Sequence, residues 1–343
     1  MTPLIATAGH APKPMEPIVT KFRKLLLCAA VLQGVVASTS AYAIDKVKLR
    51  LDWVYGSEHA PIFLAIEKGY FKDEGIDVDL MPGEGSSVTV KLVGNRDADF
   101  GFATADQVLI AAQRGLPLVA TAVVLQQNPT ALMFRSSAPI KDLTKDLDGK
   151  TIGLQLKSGT SKQWEAVKKL LKLDSTKFKE VPADGAVVPL MVAGRIDAGV
   201  VFFFNDGLKL RATGEKVDGI LFEDLGLKMY STALVTNADL IKQNPDLVRR
   251  FTRAFMKGWS AAIANPKDAY DAFIKANPAT DKIYAEMKLP EVLKLTASDD
   301  VKANGLGHST QAAWDDLQDK LVGMEIMKEK TDTSKVFSND FLK

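Results

Sequence analysis

Trp53, Tyr55, Glu58 and His59 place two aromatic rings, a carboxylate and an imidazole within seven consecutive positions. Such rings stack on planar solutes, and the other two groups supply hydrogen-bond acceptors and donors. Glu84, Ser86, Ser87, Thr104 and Asp106 stand at or just before the starts of two helical patterns, where backbone N–H groups are free to meet a ligand. Ser158, Thr160, Asp184, Phe204 and Asn205 fall on turns or strand ends further along. Together they form the candidate ligand-binding set. Each has a plainer alternative: Trp53 as core, His59 as a helix-start histidine satisfied by backbone, the hydroxyls as caps, and Asp106 and Asp184 as acids favoured by a helix dipole.

Other chemistries lack their parts. The three histidines, His10, His59 and His308, do not cluster, and the one cysteine, Cys28, lies in an apolar run near the start. No loop has the spacing of a calcium hand, and no G-x-S-x-G elbow occurs. Gly149, Lys150 and Thr151 lack the upstream glycine of a nucleotide loop and lead into a strand rather than a helix. No catalytic residue, metal or cofactor is expected.

The elements that must position the candidates read clearly. Val47, Leu49 and Leu51 alternate as in a strand, the chain breaks at Tyr55 and Gly56, and a helix begins with Pro61 in its first turn and stops at Gly69. Ile76, Val78 and Leu80 then alternate again, completing a βαβ unit whose first loop carries Trp53 and His59 off a strand's carboxyl end. Helices led by Ser86 or Ser87 and by Thr104 follow, then a strand at 118–125 and a break at Gln126, Gln127, Asn128 and Pro129. A short repeat, Val93 to Ala98 against Ala193 to Ala198, implies two lobes of similar plan. Leu247, Phe251, Phe255, Trp259 and Ala262 recur at helical spacing and read as core.

At 343 residues the chain can build two lobes with cores of their own. Lys21 to Lys24, the apolar run to Ala37 and the Ala41-Tyr42-Ala43 pattern predict an export leader over residues 1–43, removed after Ala43. No later stretch approaches the roughly 20 apolar residues of a membrane helix. The leader holds four of the 44 Lys/Arg and one of the 42 Asp/Glu, leaving 40 against 41, so nothing in the charge points to nucleic acid.

The passages LDW and EHAPIFLAIEKGYFKDEGIDVD resemble the periplasmic solute-binding proteins of nitrate, sulfonate, taurine and thiamine-pyrimidine-precursor uptake, the NMT1/THI5-like family. The resemblance implies a type II periplasmic-binding-protein fold: two lobes, each a mostly parallel sheet flanked by helices, joined by two crossings near Gln127 and Val235. Residues 44–127 and 236–343 would form one lobe and 128–235 the other. It further implies a monomer that closes on a small solute and delivers it to an ABC permease in the inner membrane, or presents it to a sensor kinase. Fungal-type pyrimidine synthases share the fold, and His59 matches the place of their histidine, but their cysteine-rich motif is missing. Because Glu58, Glu84, Asp106, Asp184 and Asp206 have no obvious basic partner, a planar amine-bearing heterocycle, such as a thiamine-precursor aminopyrimidine, is expected over nitrate or a sulfonate; a flavin or an aromatic acid stays open.

Overall fold

The computed structural model describes residues 44–156 and 159–343, with Met1 and Gly9. The expected leader otherwise lies outside the described residues, as does Ser158.

The strands are β1 (Asp45–Arg50), β2 (Ile76–Met81), β3 (Phe100–Thr104), β4 (Leu118–Val123), β5 (Thr130–Arg135), β6 (Thr151–Leu154), β7 (Lys179–Pro182), β8 (Ala198–Phe202), β9 (Val217–Leu221) and β10 (Thr232–Asn237). They form two sheets ordered β2-β1-β3-β10-β4 and β7-β6-β8-β5-β9. The first three strands of each run parallel, and the fourth, antiparallel to both neighbours, is the one that arrives from the other lobe. Two mixed sheets flanked by helices thus make the two-lobed α/β fold of type II periplasmic binding proteins. β1 alternates buried Val47 and Leu49 with exposed lysines, whereas β4 and β10 are buried along their whole length, as expected of strands covered on both faces.

The helices that matter here are α1 (Ala60–Glu67), α2 (Ser86–Gly94), α3 (Ala105–Gln113), α4 (Gly159–Leu171), α5 (Val187–Val192), α6 (Pro245–Ala264), α7 (Pro266–Ala276), α8 (Lys282–Lys294) and α9 (Gln311–Gly323). On α6 the expected stripe is core: Phe251 stacks on Phe100 of β3 with centroids 3.9 Å apart, and Trp259, fully buried, packs 5.8 Å from Phe102. The second lobe has its own anchor, Trp164 of α4, which packs on Phe222 and donates to Glu180 Oε1 at 2.7 Å.

The crossings lie between β4 and β5 and between β9 and β10. The return was expected near Val235, but Val235 is inside β10, paired with Gly101 and Ala120, so the chain is back in the first sheet by Thr232. A buried polar knot holds the crossings together. Glu223 accepts from the backbone N–H groups of Asn128 (3.2 Å) and Met229, and Asn128 Nδ2 donates to Leu227 O at 3.2 Å.

The internal repeat exists with a frame two residues away from the sequence match. Asp99 Oδ2 accepts the Lys48 N–H at 2.8 Å, and Asp197 Oδ2 accepts the Thr151 N–H at 2.8 Å, so these aspartates are the equivalent pair. Two residues further on, Gly101 and Gly199 let a helix settle on each sheet. A Cβ on Gly101 would stand 2.8 Å from Thr89 Cγ2, and one on Gly199 2.4 Å from Val187 Cγ1. Both neighbours are buried β-branched side chains with little freedom to move. Gly101→Ala should therefore cost about 1–3 kcal/mol through overpacking of α2 on the first sheet. Urea unfolding checks this, and a loss below about 0.5 kcal/mol, the level of a neutral surface change, would contradict the close approach.

Candidate functional site

The loops beyond the carboxyl ends of the parallel strands face one another across a cavity of about 560 Å³. The first lobe contributes Asp52 and Trp53 after β1, Ser86 and Ser87 at the start of α2, and Asp106 and Gln107 at the start of α3. The second contributes Gln155, Gln163, Phe202, Phe204 and Asn205. Asn128 and residues 229–231 of the crossings, with Thr232 at the start of β10, complete the lining.

Eight of the expected residues stand on this wall: Trp53, Glu58, Ser86, Ser87, Thr104, Asp106, Phe204 and Asn205. Trp53 is 53% exposed, which excludes the core alternative and leaves its indole available for stacking. Ser86 and Ser87 do not cap α2, because Gly85 occupies the cap position. Ser86 Oγ instead accepts the Thr104 N–H at 3.1 Å and fastens the two helix starts together.

Five expected residues are off the wall, each for a visible reason. Tyr55 turns inward, donating its hydroxyl to Leu80 O at 2.7 Å with its ring edge-on to Phe63. Glu84 extends into solvent and pairs with Arg50 at 3.0 Å. Thr160 is buried in the first turn of α4, and Asp184 is exposed on the turn after β7. His59 is fully buried behind the wall. Its Nδ1 accepts the Gly56 N–H at 3.3 Å, which leaves the ring proton on Nε2, 2.8 Å from Asp52 Oδ1. The histidine thus orients a carboxylate that does face the cavity.

Asp52 is the chief residue the sequence reading missed, although it sits beside Trp53 in the LDW passage. Gln107, Asn128, Gln155, Gln163, Tyr230, Ser231 and Thr232 were missed as well, and they line the cavity with amides and hydroxyls. A shared place at the cavity, rather than any sequence spacing, unites them.

Among the described residues the wall carries three carboxylates, Asp52, Glu58 and Asp106, and neither lysine nor arginine. The expectation that the cleft acids lack basic partners needs correction. Glu58 pairs with Lys288 of α8, Nζ to Oε2 2.7 Å, with both side chains nearly buried, and Asp206 lies 3.8 Å from Lys209. These cations stand outside the cavity. Burial would push the Glu58 carboxyl up, but the attraction of Lys288 and then His59, with a Lys288 hydrogen bond, holds it below the usual glutamate range. Among the described residues no trio of His, Cys, Asp or Glu could hold a metal ion, and no helix is long and apolar enough to cross a membrane.

A wall of aromatic faces, amides and carboxylates at the mouth of two facing α/β lobes defines a small-solute site. Residues 56–269 match the family model described as NMT1/THI5 like, and the chain belongs to this family. It is 25% identical over 347 residues to the riboflavin-binding protein RibY of Chloroflexus aurantiacus, covering 99% of this chain and 95% of the relative. It is 27% identical over 247 residues to 4-amino-5-hydroxymethyl-2-methylpyrimidine phosphate synthase THI13 of Saccharomyces cerevisiae, covering 68% of this chain and 72% of that protein. The fold superposes on the periplasmic aliphatic sulphonate binding protein SsuA from Escherichia coli with a TM-score of 0.66, at 12% identity, covering 87% of this chain and 99% of that one.

Two outcomes follow from this geometry. Trp53→Ala should weaken binding of a planar solute about tenfold, from about 0.5–1.5 kcal/mol of aromatic contact plus lost burial, while the melting temperature stays within a few degrees. Intact affinity measured by calorimetry would exclude stacking. Because the Glu58 pKa is depressed in the folded state, its contribution is complete above the ordinary glutamate value and disappears as pH falls through the lower folded one. Glu58→Gln should accordingly flatten the acid limb of melting temperature against pH; an unaltered limb would show that Glu58 is not ionised in its pocket.

Proposed function

We propose that this chain is the solute-binding component of an ABC importer, working outside the cytoplasmic membrane. It takes a planar nitrogen heterocycle between its lobes and hands the closed complex to a permease. The observation that carries this reading is the wall itself: a half-exposed indole, phenylalanine rings and three carboxylates, with no lysine or arginine among the described residues that line it to meet a sulfonate or nitrate. Carboxylates and amides suit amino and ring N–H donors, and the rings suit a flat face. An aminopyrimidine precursor of thiamine meets these demands most simply.

A flavin is the second reading, favoured by size. The cavity of about 560 Å³ falls within the roughly 300–1,000 Å³ usual for drug-sized ligands and exceeds what one pyrimidine ring fills. The near full-length relative named for riboflavin supports the same direction. Binding without turnover is favoured over the synthase activity named for other relatives. His59, the imidazole nearest the cavity, is buried and engaged with Asp52 and Gly56, and none of the wall hydroxyls is hydrogen-bonded to it.

Calorimetry tests the reading directly. Nitrate, taurine and alkanesulfonates should give no heat, and either 4-amino-5-hydroxymethyl-2-methylpyrimidine or riboflavin should bind at micromolar concentration or better. Micromolar binding of an alkanesulfonate, or conversion of the bound heterocycle, would overturn it.

A further inference from the structure

Glu58 is a buried carboxylate on a cavity wall, and a buried charge persists only where its surroundings are built to hold it. Two such provisions are present. Gly56 leaves the space: a Cβ there would stand 2.1 Å from Glu58 Oε2, so the carboxylate folds back over a residue without a side chain. Lys288 supplies the opposite charge at 2.7 Å, from a helix some 230 residues away in sequence and beyond the stretch matched by the family model.

That helix, α8, does more than neutralise. Ala285, Leu289, Val292 and Leu293 bury one face of it in the first lobe's core. Tyr284 and Lys288, one turn apart, share another face that meets the second lobe. The Tyr284 hydroxyl lies 3.4 Å from both Phe204 O and Asn205 Oδ1, and Lys288 Nζ sits 5.3 Å from the centre of the Phe204 ring. Phe204 and Asn205 belong to the wide turn Phe203–Gly207 and themselves line the cavity. Burial, then Glu58 and Asp206, push the Tyr284 hydroxyl above its usual range, so it remains a donor.

We propose that Tyr284 and Lys288 form a latch between the lobes, by which α8 grips the second lobe's Phe203–Gly207 turn, favours the closed form and fixes Glu58 at the cavity wall. The solute then completes a closure that protein contacts have partly arranged, and its apparent affinity depends on how much closed form exists without it. Both are positioning residues: Tyr284 acts on Asn205 and Lys288 on Glu58, and neither lines the cavity. The proposal rests on the solute-binding reading, yet the latch itself can be tested without solute.

Spin labels at Lys91→Cys on α2 and Lys169→Cys on α4, in the full chain carrying Cys28→Ser, report the distance between lobes. In ligand-free protein Tyr284→Phe should reduce the short-distance population roughly threefold, the worth of one neutral hydrogen bond. Adding Asn205→Ala to Tyr284→Phe should change it little further, since the same contact is already gone. Lys288→Met strands a buried carboxylate and can unfold the chain, so the charge-neutral pair Glu58→Gln with Lys288→Met is measured beside it and should also shift toward longer distances. Unchanged distributions in both Tyr284→Phe and the charge-neutral pair would overturn the latch. Failure of wild type to bind riboflavin or 4-amino-5-hydroxymethyl-2-methylpyrimidine, with the distributions shifted as expected, would overturn the ligand reading alone.

Discussion

The loop that leaves β1 must be pinned against the loop that leaves β2, and a backbone approach too close for any side chain accomplishes it. Gly83 N–H donates to Trp53 O and Gly85 N–H to Asp52 O, each at 2.7 Å, and a Cβ on Gly83 would stand 2.1 Å from Leu51 O. Thr89 of α2 adds its hydroxyl to the same Leu51 carbonyl at 2.6 Å. These bonds leave the backbone of residues 52 and 53 little freedom and set where the half-exposed indole leaves the chain. His59 then fixes Asp52 from below and Gly56 fixes His59, so the segment is satisfied almost entirely by its own turns and by the neighbouring loop. A stacking surface is useful only when its orientation is settled before the solute arrives, because ordering it afterwards would consume binding energy.

The second lobe is built to the same plan and joined to the first by two crossings. Its fourth strand, like the first lobe's, enters antiparallel from the crossing, and the crossings are joined by the Ser231 N–H to Leu125 O bond at 2.9 Å as well as by the side chains of Asn128 and Glu223. Glu223 shows what that costs: burial raises its carboxyl pKa despite the bonds from Asn128 and Met229. Polar groups at a crossing keep their hydrogen bonds through small rotations more readily than an interlocked apolar core, where movement opens voids. The cavity is lined in part by the same segments, Asn128 and residues 229–231.

Much of this was legible in the sequence because it is local. Periodicity located the βαβ unit, the aromatic stripe of α6 and the strand that carries the site loop, and these follow from spacing alone. The exposure of Trp53 was one of two readings left open, core or cavity wall, and the structure selects the exposed one. What could not be read was long-range. Tyr55 differs from Trp53 only in having Leu80 O within reach, and Glu58 owes its ionised state to Lys288, far along the chain. The repeat misled by two residues because Gly94 and Gly194 catch the eye. The shared backbone turn is made instead by Arg96 (φ 69°) and Gly194 (φ 65°), and only the Asp99 and Asp197 bonds expose the true frame.

The charged groups at the cavity are ordered by depth. An acid at the wall of a low-dielectric cavity must either neutralise or find a partner, and here Asp52 has His59 and Glu58 has Lys288, each behind the wall. Despite its burial, the Glu58 carboxyl is held below the usual glutamate range by Lys288, and both partners stand behind the wall. In both pairs the loops turn the acid toward the cavity and keep its partner behind it, a hydrogen-bonded imidazole for Asp52 and an ammonium for Glu58.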